Sequence, residues 1–171
     1  SMPSLTMLNL SNNQLETASD VDPFVLGNYP SLRTLSVANN MAIDKLDISA
    51  CTKLESLDVT ACSLTELANA YCPDLRVLNA ADNLIASLDL SANKAITTIN
   101  VSGNPIRELD LTPLTNLRFL NITDTQISRV NLMYAYFLQT FEAASTLLEF
   151  VDFNGVQTGG LTKIDLRFNT S

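Results

Sequence analysis

A period of about 21 residues constrains this chain more than anything else in it. Leu5, Leu32, Leu54, Leu75, Ile96, Leu117, Leu138 and Leu161 open successive units at intervals of 27, 22, 21, 21, 21, 21 and 23 residues, so that eight units fill the 171 residues. Apolar residues follow at the fourth and sixth positions of each unit, with an asparagine at the ninth in five of the eight, as in Leu75-Leu78-Ala80-Asn83 and Ile96-Ile99-Val101-Asn104. The step of two between the fourth and sixth positions is strand spacing, with the residue between them on the opposite face. A unit of this length cannot bury its own apolar side. Stacking on its neighbours is what creates a core, and residues 1–171 are expected to form a single domain of about eight repeats.

The second half of the unit carries its own pattern. Leu46, Leu67, Leu88, Leu109, Val130 and Val151 recur every 21 residues, and Leu88-Asp89-Leu90-Ser91-Ala92-Asn93 is the fullest copy of L-D-L-S-x-N. In these nested motifs the chain resembles leucine-rich repeat proteins, specifically the bacterial class with 21-residue repeats. The resemblance implies an α/β-type repeat solenoid that is mostly β: a right-handed, curved array with a parallel concave sheet, short convex strands and turns, and at most one or two short helices. One such helix is expected where Asp22-Pro23-Phe24-Val25-Leu26-Gly27 reads as cap, first-turn proline, apolar turn and glycine stop. The two extra residues of the seventh unit fall near Gly155, Gly159 and Gly160, whose expected service is positive φ in a loop. No polar capping element is evident at either end, and exposed terminal strands normally need cover. The chain is therefore expected to belong to a longer protein.

Composition narrows function. The chain has no His, which removes Ser-His-Asp and Cys-His catalysis and His-bearing zinc sites. Carboxylate pairs occur only as repeat columns, and no glycine-rich phosphate loop or cofactor signature appears. No enzyme and no cofactor are expected. With 10 Lys plus Arg against 18 Asp plus Glu, net charge −8, a nucleic-acid partner is not expected either, because phosphate binding rests on clustered cations. No run approaches the ~18 apolar residues that span a bilayer.

Several polar columns have structural explanations. Asn13, Asn40, Asn83, Asn104 and Asn169 form a ladder expected to face inward and bond turn backbone groups that stacking leaves unpaired. Cys62 stands in that ladder, and Cys51 and Cys72 stand in a second one with Asn93, where a small buried thiol suits the space. A Cys51–Cys72 disulfide is the alternative. Thr125 and Thr146 replace the ladder asparagine in the sixth and seventh units and satisfy fewer groups. Asp47, Asp89, Asp110 and Asp152 make a carboxylate column, more readily turn-forming or solvated than a calcium site, which needs six to eight converging oxygens. Asn69 stands where other units place an inward apolar residue, so it either finds buried partners or opens the turn.

Function is expected on the concave face that the resemblance implies. Its central column is Asn9, Ser36, Asp58, Asn79, Asn100, Asn121, Glu142 and Asp165, flanked by Arg33, Arg76 and Arg118, with Val77, Phe119 and Lys163 close by. The candidate partner-binding residues are Arg33, Asp58, Arg76, Asn79, Asn100, Arg118, Phe119, Asn121 and Glu142. A protein is the expected partner. An ordinary solvated face is the bland alternative, and a glycan is a third, disfavoured by the absence of Trp and the scarcity of outward Tyr. The N-x-S/T triplets at Asn9, Asn100 and Asn121 read as by-products of the repeat. Six of the seven phenylalanines lie between Phe119 and Phe168. Phe137, Phe141, Phe150 and Phe153 are expected to repair the core where the ladder asparagine is lost, the alternative being an exposed aromatic patch near Tyr134 and Tyr136. The chain is read as a non-catalytic recognition module, with a spacer or regulatory arm of a larger protein or enzyme as the rival. The repeat class implies secretion or the cell surface, and reduced cysteines would suit the cytosol as well.

Overall fold

The computed structural model describes residues 2–17, 23–26, 29–157 and 159–169. Eight three-residue strands stack into one parallel sheet: β1 Met7–Asn9, β3 Thr34–Ser36, β5 Ser56–Asp58, β6 Val77–Asn79, β7 Thr98–Asn100, β8 Phe119–Asn121, β10 Thr140–Glu142 and β12 Lys163–Asp165, each hydrogen-bonded to the next in that order. Two short pairs form the opposite side, β2 Phe24–Val25 with β4 Leu46–Asp47 and β9 Arg129–Asn131 with β11 Phe150–Asp152. The chain is a parallel β-solenoid, its sheet lining the concave side.

The repeat dictates the core. Leu35, Leu57, Leu78, Ile99, Leu120 and Phe141, the middle residues of successive strands, are fully buried, as are the unit-opening Leu32, Leu54, Leu75, Ile96, Leu117 and Leu138. The strand residues on either side of each middle residue face outward, as the period of two requires. Each buried aliphatic side chain contributes about 1.5–3 kcal/mol, and every one packs against its counterparts one unit away.

The turn that follows each strand of the sheet uses one backbone device throughout. The residue before the ladder position has positive φ in all eight units: Asn12, Asn39, Ala61, Asp82, Gly103, Asp124, Ser145 and Phe168. In the first seven of these its N–H donates to a carbonyl of the following unit, as from Asp82 to Ser102 and from Asp124 to Ala144, which ties adjacent turns together.

Two local expectations fail. Phe24–Val25 is a strand rather than a helix, because this segment occupies the convex column and pairs in parallel with Leu46–Asp47. Asp22 and Gly27, the expected cap and stop, lie outside the described residues. The one helical turn among the described residues is the 3-10 turn Asn69–Tyr71. The glycines of the seventh unit do not serve positive φ either, since Gly103 alone among the described glycines adopts it. Gly155 is required by close approach: a Cβ there would fall on the Met133 carbonyl.

Candidate functional site

The ladder residues behave as frame. Asn83 is buried; its Nδ2 donates to the carbonyls of Val59 (2.9 Å), Ala80 (3.1 Å) and Ala81 (2.9 Å), while its Oδ1 accepts from the N–H groups of Cys62 and Leu64. Asn104 repeats this with Ala80, Val101 and Ser102 as acceptors and Ile85 N–H as donor. Asn40 does the same toward Leu10, Val37 and Ala38, accepting from Leu15. The terminal members differ in burial: Asn13 bonds Leu10 and Ser11 while exposed, and Asn169, half-buried, bonds Ala143 and Leu166.

All three cysteines are free and buried. The Cys62 thiol donates to the Val37 carbonyl at 3.2 Å, and the Cys72 thiol to the Cys51 carbonyl at 3.7 Å. Burial pushes all three thiols above their ordinary range, Cys72 to about 11, because an apolar interior disfavours the thiolate. Asn69 does find partners: its amide reaches the Asp89 carbonyl at 2.7 Å and the Asn93 carboxamide, and Asn93 in turn donates to the carbonyls of Asn69 and Cys72.

The nine candidate residues share one face. Strand register aligns Asn9, Ser36, Asp58, Asn79, Asn100, Asn121, Glu142 and Asp165 in a single column. Phe119 aligns with Val77 through Thr98 one column away. Beyond it, backbone hydrogen bonds run Arg33–Glu55–Arg76–Thr97–Arg118. Not every charge is available. Arg33 pairs with Glu55 and Glu142 with Lys163. Arg76 and Arg118 have no carboxylate partner among the described residues, and the Arg118 guanidinium lies 5.9 Å from the centre of the Phe137 ring.

The central column does a second job that the sequence reading missed. Asn9, Asp58, Asn100, Asn121 and Asp165 each accept, through Oδ1, the backbone N–H two residues on. These are Asx turns, which bend the chain out of the strand, and they explain the recurring N-x-S/T triplets. The convex column follows the same rule at Asp47, Asp89, Asp110, Asn131 and Asp152. Hydrogen bonds from Ser49 and Ser91 hold the Asp47 and Asp89 carboxyls below the usual carboxylate range, and the Arg167 side chain brings Asp165 to about 2.

In the middle of the concave column this fixes the carboxamides. With Oδ1 tied inward, Asn100 and Asn121 present their Nδ2 groups outward, and at Asn79 the Oδ1 is buried without a partner, which leaves Nδ2 as its outward group too. Three aligned donors about 4.8 Å apart stand between Arg76 and Arg118.

The aromatic residues divide. Phe141 is buried and meets half-buried Phe153 edge to face at 6.1 Å. Phe137 and Phe150 are not core repair: they are 47% and 54% exposed. Phe137 sits on the turn leading back to β10, directed outward beside Tyr136 and Tyr134. Phe150 rims a convex groove of about 740 Å³ with Arg107, Arg129 and Leu147. Three of the four tyrosines, Tyr71, Tyr134 and Tyr136, are exposed, so outward Tyr is not scarce. Position in the repeat was the available signal, since residues 136 and 137 fall where other units carry Lys94-Ala95 and Asn116.

Residues 4–28 match the family model described as Leucine Rich Repeat. Among solved structures, the chain is similar to the functional domain of InlJ from Listeria monocytogenes, which includes a cysteine ladder, with 28% identity and a TM-score of 0.88 over 98% of this chain and 35% of that one. A leucine-rich repeat protein from Leptospira interrogans is similar at 19% identity, TM-score 0.76, over 93% of this chain and 46% of that one. The internalin InlF of Listeria monocytogenes is similar at 16% and 0.65, over 80% and 48%. The chain therefore spans about a third to a half of these relatives' lengths. No curated protein matches the sequence.

Proposed function

We propose that this parallel β-solenoid, similar in fold to bacterial leucine-rich repeat proteins, is a non-catalytic module that binds a partner protein on its concave face. The observation that carries this reading is the row of oriented donors. Asn100 and Asn121 face outward with Nδ2 while their turns hold Oδ1, and Asn79 does so with its Oδ1 buried and unpartnered; Arg76 and Arg118, which have no carboxylate partner among the described residues, flank them. Such a row favours a surface rich in acceptors, backbone carbonyls and carboxylates above all.

The setting proposed with it is a secreted or surface-borne protein. Thiols that are buried and held neutral react slowly, so Cys51, Cys62 and Cys72 could persist unpaired in an oxidising environment.

Asn100→Asp separates the two roles of this side chain, since aspartate still accepts the Ser102 N–H but offers no donor. The wild type, Asn100→Asp and Asn100→Arg are immobilised side by side, the proteins retained from source and host extracts are identified by mass spectrometry, and a retained protein is purified for titration. Unchanged melting temperature for Asn100→Asp with affinity reduced about tenfold is expected. Equal affinity of all three variants would remove the concave site. A domain that retains nothing would favour the spacer or regulatory-arm reading.

A further inference from the structure

The flank by which the chain climbs from the convex side back to β8, β10 and β12 differs in chemistry from the rest of the molecule. Although the protein carries net charge −8, segments 111–123, 132–141 and 153–164 contain no Asp or Glu, and their only charges are Arg118 and Lys163. Lys163 is paired with Glu142. In the middle segment four large side chains are exposed within five residues: Met133 at 40%, Tyr134 at 41%, Tyr136 at 39% and Phe137 at 47%. The corresponding turns of earlier units carry charges instead, Lys53, Asp74 and Lys94.

The core does not need these four residues. Leu132, Ala135 and Leu138, which alternate with them, are the buried members of the same turn. Gly155 lets the following loop lie against the Met133 backbone, because any side chain there would collide with the Met133 carbonyl. The turn is thus held from one side while its aromatic side chains stay outside.

From this we propose that Met133, Tyr134, Tyr136 and Phe137, together with Arg118, form a second docking surface, taking an apolar segment of a partner protein that carries a carboxylate opposite Arg118. The inference rests on the recognition reading and shares only Arg118 with the concave site, whose asparagine row it does not need. Tyr, Phe, Met and Arg with few carboxylates is the composition of protein interface cores, and aromatic anchors beside an Arg supply most of the energy at such surfaces. Arg118 already uses one face of its guanidinium on Phe137. Its N–H fork has no carboxylate partner among the described residues and matches one geometrically. Charge fixes the sign of the partner: elsewhere the acidic surface repels a carboxylate, whereas this flank has none to repel it. The geometry favours protein over sugar. Tyr134 and Tyr136 stand edge to face, their planes 80° apart with centroids at 6.3 Å, so they give a notch rather than the flat platform on which a pyranose stacks.

The test pans a displayed library of random peptides against the whole chain and three variants: Tyr136→Ser with Phe137→Ser, Arg118→Glu, and Asn100→Asp. All substitutions fall on exposed or half-exposed positions, and thermal melts confirm that each variant folds. Peptides combining aromatic or aliphatic residues with Asp or Glu are expected, retained by Asn100→Asp and weakened about tenfold by the double serine variant. Arg118→Glu is expected to turn the selected charge to Lys or Arg. Four results would overturn the proposal: no peptide enriched over the bare matrix, enrichment indifferent to the flank variants, loss on Asn100→Asp alone, or a glycan array bound through the flank instead.

Discussion

The turns after β6 and β7 and those after β8 and β10 meet the same backbone demand with different side chains. Asn83 makes five hydrogen bonds, two within its own turn and three to the turn of the preceding unit. Thr125, equally buried, makes one, to the Ile122 carbonyl, and Thr146 bonds Ala143 and Asn169. A carboxamide brings two donors and a separate accepting oxygen, whereas the single oxygen of a short hydroxyl side chain must serve for both and reaches less far. As a result, the N–H groups of Ile106 and Ile127, counterparts of the Ile85 N–H that Asn104 accepts, have no acceptor among the described residues. The threonine region leans instead on aromatic packing of Phe141 with Phe153, and its next turn carries the exposed aromatic flank. Frame chemistry and recognition chemistry are thus unevenly shared along one repeat.

The comparison breaks most sharply at Asn83. Asn83→Ala leaves the Val59 carbonyl and the N–H groups of Cys62 and Leu64 without partners in the interior and takes one bond each from the Ala80 and Ala81 carbonyls, which keep donors from Asn104 and Ala61; urea unfolding should show a loss of about 4 kcal/mol, against about 1 kcal/mol for Thr125→Ala. Equal losses would make the asparagine ladder dispensable.

A thiol is the third way to fill a ladder, and pH separates it from the other two. The folded-state Cys72 value near 11 lies above its ordinary value near 9. Its contribution to stability is therefore intact below pH 9 and lost as pH rises through 11. Stability of the wild type should fall over that window by more than that of Cys72→Ala, as followed by denaturant midpoints. Parallel curves would show that the thiol does not titrate with unfolding.

Restoring the amide should sharpen the comparison from the other side. Thr125→Asn gives the Ile106 N–H an acceptor and is expected to add about 1 kcal/mol; a loss would mean that this turn has closed around the smaller residue. The smallest effect concerns the backbone. Ala61 sits at φ 53°, where a Cβ is strained, and Ala61→Gly should stabilise by about 1 kcal/mol, read as a raised melting temperature.

Much of this architecture is legible in the sequence because stacking copies one solution eight times. The unit starts, the buried columns and the concave column can be read from spacing, since a strand of period two allows one register per unit. Three features escape that logic. The left-handed residue before the ladder was hidden by variety, although Asn12, Asn39, Asp82, Gly103 and Asp124 all tolerate that conformation. Phe24–Val25 carried local helix signals, and the convex column outweighed them by offering a parallel partner. Phe137 and Phe150 are large apolar side chains of the kind that ordinarily fill a core, but their positions in the repeat point outward. For the site, the column was legible and its hydrogen bonding was not, since the tie that leaves Asn100 with an outward donor depends on turn geometry.

The contrast between amide-filled and threonine-filled turns is tested most directly by amide hydrogen exchange in the native protein, followed residue by residue with NMR. Leu64 and Ile85, whose N–H groups the ladder carboxamides accept, should exchange only when the units around them unfold, whereas Ile106 and Ile127 should exchange markedly faster through local opening. Equal protection at all four amides would contradict the account.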